Sequence, residues 1–361
     1  MLTGVEPPDL RAIEALDVLV DDGKGVDQHV GRSTRTALGC ELRYHIAGLD
    51  PKVAVSHRLP VRAEPYVVNG VNLLPYFAGL LPEGLRMRAI AGIQPKVSAF
   101  RLTLPVRTTG RRTTGGRTTG GRTSRRSSEC ILKLEPDELP CLVANERFFM
   151  TLAREAGLDV ARVSEVTDPS GCSALLVERF DRSIDPLTGR VVKYAQEDAC
   201  QLLGHYPADK YRVALHEFAQ ALEVCDAPLQ ARLDLLRVVA FSYLIANGDM
   251  HGKNISVHTA DGITRLAPVY NLLSTLPYGD DRMALKIEGR DKRLQRKDFV
   301  AFGERVGVRG VATERMLSTL VKRVGRRLGD AAKPALASIG LDERATRHLE
   351  RTIEERLSAL S

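Results

Sequence analysis

No apolar run in the 361-residue chain approaches the roughly 18 residues that a membrane helix needs, so no helical span is expected. The first residues, MLTGVEPPDLRAIEALDV, are acidic and lack both the basic and the apolar region of a secretory leader. The six cysteines, Cys40, Cys130, Cys141, Cys172, Cys200 and Cys225, form no C-x-x-C pair. They read as reduced, mostly buried thiols of a cytoplasmic protein, and a structural zinc site is not expected. Acids are missing altogether between Arg107 and Ser128, where there are seven arginines. That segment accounts for the whole net charge of +7. The pI near 9.1 is therefore a property of one segment, and no direct nucleic-acid binding is expected of a body that is neutral overall. What is present, 43% hydrophobic residues, suits a globular chain of about two or three domain-sized units.

Residues 1–88 read as a mixed, strand-rich unit, with short β-type runs at ALDVLV (15–20), ELRYHIA (41–47) and KVAVS (52–56). Pro82 suits the first turn of a helix carrying Arg86 and Arg88. In the stretch 89–190, strand-like VSAFRLTLPV and CILKLEP flank RTTGRRTTGGRTTGGRTSRRSS (107–128). This repeat on an R-T-T-G unit has nothing aliphatic or aromatic to bury, which predicts a disordered insertion in a hairpin. CLVANERFFMTLAREAGLDV reads as a helix with Phe149, Leu152 and Ala156 on one face and Gly157 as its terminator. SALLVERFDR reads as a buried strand entering a polar connection. From 191 to 361 the pattern is mainly helical. ARLDLLRVVAFSYLIANGD is apolar nearly all round, as in a core helix, and is expected to end at Asn247-Gly248. SVHTADGITRLAPVYN reads as a hairpin turning at Asp261-Gly262, and the tail after Lys297 as amphipathic helix.

The sharpest chemical signal is Asn247-Gly248-Asp249-Met250-His251-Gly252-Lys253-Asn254. Phosphoryl transfer needs a carboxylate to orient the attacking hydroxyl and a neutral oxygen to help hold Mg²⁺. Kinases place the two on one loop with D-x-x-x-x-N spacing, the spacing of Asp249 and Asn254. The same loop also reads as a polar turn with Asx bonds, or more weakly as a metal site of His251 with His258. Lys133 sits mid-strand among apolar neighbours and must snorkel or find an anion. Glu146, thirteen residues on, is the matching partner in a kinase. Taken alone it reads as a surface carboxylate near a helix N-terminus. Gly92-Ile93-Gln94-Pro95-Lys96 precedes a strand but has no G-x-G-x-x-G, and by itself is a turn. Glu178-Arg179-Phe180-Asp181-Arg182 reads either as a nucleotide-contacting linker or as a salt-bridged strand end.

LPVRAEPY, PYFAGLLPEG, AGIQPK, ILKL, NERFFMTLAREAGL, LLVERFDR, QEDACQLLG, ANGDMHGKN and LAPVYN, in that order over about residues 40–290, resemble the HipA family of toxin-module serine/threonine kinases. The resemblance implies an α+β, protein-kinase-like bilobal fold. A strand-rich N-terminal subdomain would be followed by an N-lobe and a mainly helical C-terminal lobe. It implies ATP and Mg²⁺ as cofactors and a protein substrate such as an aminoacyl-tRNA synthetase, whose phosphorylation slows growth. It also implies a HipB-like DNA-binding antitoxin as partner. Carried over by residue, Asp249 matches the catalytic base and Asn254 a Mg²⁺ ligand, with His251 and Lys253 inside the catalytic loop. Lys133 matches the phosphate lysine, paired with Glu146. Glu178 and Phe180 match the adenine-contacting linker and Asp181 the ribose contact, while Gln94 and Lys96 match the nucleotide loop.

Three departures stand out. Asn271 occupies the place of a metal-binding aspartate, which is expected to weaken Mg²⁺ binding and activity. Ala89-Ile90-Ala91 offers no counterpart of the serine that certain members autophosphorylate. The R-T-T-G insertion lies between the nucleotide loop and Lys133. A catalytically weakened kinase-like binder and a small-molecule kinase of the aminoglycoside or choline type, which share G-D-x-x-x-x-N, are the competing readings.

Overall fold

The computed structural model describes residues 14–21, 27–47, 49–50, 53–71, 73–80, 96–99, 129–167, 171–185, 187–329 and 332–361. Gln94, the helix expected at Pro82, Ala89-Ile90-Ala91 and the R-T-T-G segment lie outside these residues.

Strands β1 (Ala15–Asp21), β2 (Asp27–Arg35), β3 (Gly39–Tyr44) and β4 (Tyr66–Asn69) form an antiparallel meander in chain order. Alternation sends Val18, Val30, Cys40, Leu42 and Tyr44 to one face, where they make a small core of their own. Each such aliphatic side chain contributes about 1.5–3 kcal/mol by leaving water. The run KVAVS, expected as a strand, is not one: its described part makes only an isolated bridge between Ser56 and Leu59. The polar groups there pair with a buried carboxylate instead. Glu197 accepts from Ser56 Oγ at 2.6 Å and from His57 N at 2.8 Å. Helix α1 (Pro75–Leu80) follows.

A second antiparallel sheet has the order β5-β6-β8-β7, from β5 (Lys96–Ala99), β6 (Cys130–Leu134), β7 (Val163–Thr167) and β8 (Ser173–Glu178). Between β6 and β7 runs α2 (Leu142–Glu155). Glu135 opens this helix, accepting from Leu142 N at 3.1 Å and Val143 N at 2.7 Å, which satisfies two of its orphan donors. Phe149, Leu152 and Ala156 are buried as the spacing predicts, and Gly157 ends the run at φ 91°.

The remainder is mainly helical. A short hairpin of β9 (Arg182–Ile184) and β10 (Val191–Lys193) leads to β11 (Ala195–Asp198), α3 (Ala199–Leu203) and α4 (Leu215–Ala221). Helix α5 (Pro228–Leu244) is buried continuously from Val238 to Leu244. It stops three residues before the expected Asn247, because Ala246 adopts a left-handed φ of 55°. That conformation costs a residue with a Cβ about 1–2 kcal/mol. Strands β12 (Ser256–Ala260) and β13 (Ile263–Leu266) form the expected hairpin, and β12 also pairs with β11. Asp261 and Gly262 both have positive φ, 53° and 75°, as a type I′ turn requires. The amphipathic tail forms α6 (Arg296–Arg305), α7 (Gly310–Leu328), α8 (Ala332–Ala337) and α9 (Glu343–Leu360). Arg356 on α9 is buried and donates to Tyr243 O, closing the tail onto α5. No helix among the described residues is long and apolar enough to cross a membrane.

Candidate active site

Five of the residues singled out by sequence converge where the second sheet meets the helical region. Lys133 on β6 is 4% exposed and forms an ion pair with Glu146 of α2, which is fully buried. Glu146 is thus no surface carboxylate. It lies three residues before Phe149, on the apolar stripe of its helix, and burial there requires a cation. The Lys133 ammonium also donates to Asn271 Oδ1 at 3.0 Å and approaches Tyr270 O at 3.4 Å. Asn271 Nδ2 donates in turn to Asp249 Oδ2 at 3.0 Å, and Asn254 Nδ2 lies 3.2 Å from the same oxygen. One chain of polar contacts therefore runs Glu146, Lys133, Asn271, Asp249, Asn254.

The loop that carries Asp249 is braced on both sides. Thr275 N donates to Ala246 O at 2.9 Å, and Gly248 N donates to Thr275 Oγ1 at 2.8 Å. Asn145 Nδ2 donates to Ser274 O, and Asn145 Oδ1 accepts from Ser274 N, each at 2.9 Å. Asn145, Ser274 and Thr275 escape notice in the sequence. Asn145 did leave a signal, an amide on the same helical stripe as Phe149 and Leu152. Tyr270 is a further such residue: its hydroxyl donates to Lys253 O at 2.7 Å and lies 2.8 Å from Ser256 Oγ. Burial pushes its phenol well above the ordinary tyrosine range.

The other expected residues divide. His251 is buried with Nε2 3.6 Å from Asp249 Oδ1, and its Nδ1 accepts from Lys253 N. Lys253 points away from Asp249, donating to Asp198 Oδ2 at 3.2 Å and Gly79 O at 3.0 Å. It thereby ties the loop to α1 and to the capping residue of α3. Burial pushes the Asp198 carboxyl up, opposed by Lys253 and the Gln201 N–H. Phe180 packs on the Tyr270 ring at 5.7 Å and edge-on to His258 at 5.5 Å between centroids. Asp181 is held by Arg179 at 2.5 Å, and Glu178 ends β8 opposite Cys130. The backbone of Lys96 pairs in register with Lys133.

His258 gives the site a pH signature. Burial holds its imidazole below the ordinary value of about 6.5, and Arg265 adds to this, against the pull of Asp181 and Asp159. A base whose folded pKa is depressed gives stability that is complete above the unfolded pKa and is lost as pH falls through it. Denaturant midpoints should therefore drop as pH falls below about 6.5 and on through the depressed folded pKa, with a shallower drop in His258→Gln. An identical pH slope in that variant would remove His258 as the cause.

Asn271 Oδ1 and Asp249 Oδ2 do not suit a divalent cation as they are arranged. Mg²⁺ favours carboxylates. Here Asn254 offers a neutral oxygen, Asn271 Oδ1 already faces an ammonium, and Asp249 Oδ2 faces two amide N–H groups. No group of three or more His, Cys, Asp or Glu able to hold a metal is present among the described residues.

Known proteins share this arrangement of chain. Residues 88–328 match the family described as the HipA-like C-terminal domain, and residues 17–116 match the HipA N-terminal domain. A putative kinase of Sinorhizobium fredii, Y4mE, is 34% identical over 269 residues, 71% of this chain and 59% of that protein. The serine/threonine-protein kinase toxin HipA of Shewanella oneidensis is 28% identical over 304 residues, 79% of this chain and 65% of that one. The solved complex of Shewanella oneidensis HipA with HipB and its operator DNA superposes with a TM-score of 0.54 at 26% identity, over 76% of this chain and 66% of that chain. The chain spans between about half and two thirds of the length of the curated relatives it matches. Its fold is the α+β, kinase-like one. With the HipA-like C-terminal domain covering residues 88–328, the chain belongs to the HipA family of kinases.

Proposed function

We propose that the chain is a protein serine/threonine kinase that takes ATP into the cleft between β6 and the Asp249 loop and acts as the toxin of a toxin–antitoxin module. The observation that carries this reading is the buried Lys133–Glu146 pair joined through Asn271 to Asp249. Lys133, oriented by Glu146, meets the phosphates. Phe180, with Glu178 and Asp181 beside it, contacts the adenosine, and Gln94 and Lys96 are assigned to the nucleotide loop on the family resemblance alone. The acceptor hydroxyl attacks the terminal phosphorus and its proton passes to Asp249. The bond from that phosphorus to the bridging oxygen breaks, and ADP leaves. Asn254 and His251 orient the Asp249 carboxylate, while Lys253 anchors the loop. The substrate is a cytoplasmic protein, an aminoacyl-tRNA synthetase being the first to try, and its modification slows growth. A HipB-like DNA-binding antitoxin is the partner, a reading supported by the relative solved with HipB and operator DNA.

A second reading is favoured by Asn271, which leaves this cleft one carboxylate short of a kinase: a weakened enzyme, or a binder of nucleotide and antitoxin. Labelled ATP incubated with the purified chain and a cell extract separates the two. Label should enter serine or threonine of a protein, and more slowly than with Asn271→Asp. Label found in a small solute alone, or in nothing with either form, counts against a protein kinase.

A further inference from the structure

We infer that this cleft holds its nucleotide without help from a divalent cation, the Asn271 amide bridging Lys133 and Asp249 where a metal would otherwise neutralise two carboxylates. The inference rests on the nucleotide reading given above. It is carried by the way Asn271 is used. Lys133 Nζ can only donate and the Asp249 carboxylate can only accept. The amide therefore has one orientation, oxygen to Lys133 and N–H to Asp249, each at 3.0 Å. Both ends are satisfied in a position only 7% exposed.

A cation placed between Asp249 and Asn271 would meet an amide N–H and the neighbouring ammonium. To ligate it, Asn271 Oδ1 must leave Lys133, and the amide N–H must leave Asp249. The buried ammonium would lose an acceptor and gain a repelling dication nearby, while Asn271 would bring the ion only one neutral oxygen. An aspartate at the same place behaves in the opposite way. It has no proton to donate to Asp249, and two carboxylate oxygens about 3 Å apart do not both ionise unless a proton or a cation sits between them. Asparagine makes the arrangement self-consistent without metal, whereas aspartate makes it call for one. The described residues offer no alternative carboxylate cluster for the ion.

Calorimetric titration of the full chain with ATP, once in excess EDTA and once in excess MgCl₂, tests this. The dissociation constant should differ by less than about threefold between the two conditions. Mn²⁺ alone should leave the melting temperature of the parent unchanged and raise that of Asn271→Asp, whose affinity for ATP should become at least about tenfold tighter with Mg²⁺. ATP binding by the parent that tightens tenfold or more with Mg²⁺ would overturn the inference while leaving the nucleotide site intact. Stabilisation of the parent by Mn²⁺, or an Asn271→Asp variant indifferent to Mn²⁺, would overturn it as well. Folded protein that takes up ATP under neither condition refutes the nucleotide reading itself.

Discussion

Exchanging Lys133 for alanine should destabilise the chain by about 3–5 kcal/mol, the usual cost of leaving one member of a buried ion pair without its partner. Glu146 is fully buried in the core and is paired there with Lys133. Without the ammonium, the carboxylate must take up a proton or admit water, and either disturbs the packing of α2 on the second sheet. Asn271 Oδ1 loses its donor in the same step. The double variant Lys133→Met with Glu146→Leu should recover most of the loss, because apolar groups of similar volume replace a buried pair at little cost. Denaturant unfolding of parent, single and double variants checks this. A single variant within about 1 kcal/mol of the parent would show that Glu146 finds solvent by another route. ATP binding should be lost in both variants, which separates the phosphate-binding role proposed for Lys133 from its structural one.

Asp249→Asn should lower phosphoryl transfer by about 10²–10⁴-fold, the range that a positioned general base supplies. The change is chosen because it keeps the scaffold. An asparagine oxygen can still accept from Asn271 Nδ2 and Asn254 Nδ2, which lie 3.0 and 3.2 Å from the present Oδ2. The melting temperature and ATP affinity should therefore change little while initial rates fall. A rate within threefold of the parent would move the base elsewhere, with His251, 3.6 Å from Asp249, as the next group to test. Equal loss of ATP binding and rate would instead assign Asp249 to the architecture of the cleft.

Much of the fold was legible because period and punctuation are local. The Asp261-Gly262 turn, the Gly157 terminator and the continuous apolar run of α5 each depend on neighbours within a few positions. What the sequence misread or left open has equally specific causes. KVAVS has strand composition, yet its partner is a carboxylate 141 residues away rather than another strand. Glu146 has two readings, partner of Lys133 or surface acid at a helix N-terminus, and only its burial on the Phe149 stripe separates them. Lys253 belongs to the same octapeptide as Asp249, but its side chain is drawn off to Gly79 and Asp198. Spacing along a loop does not reveal which way each side chain turns.

The sequence by itself determined the family, through short segments in a fixed order, and the inventory of chemical groups, including Asn271 at the place where the resemblance implies an aspartate. Tertiary structure alone decided what that asparagine does. Lys133 and Asn271 stand 138 positions apart, and their 3.0 Å contact exists only because β6, α2 and the segment after β13 pack together. A hydrogen bond depends on ångström distances and on which partner carries the proton, and neither quantity is encoded locally in a chain. Packing sets Asn271 between an obligate donor and an obligate acceptor, and so turns an apparent loss into a bridge.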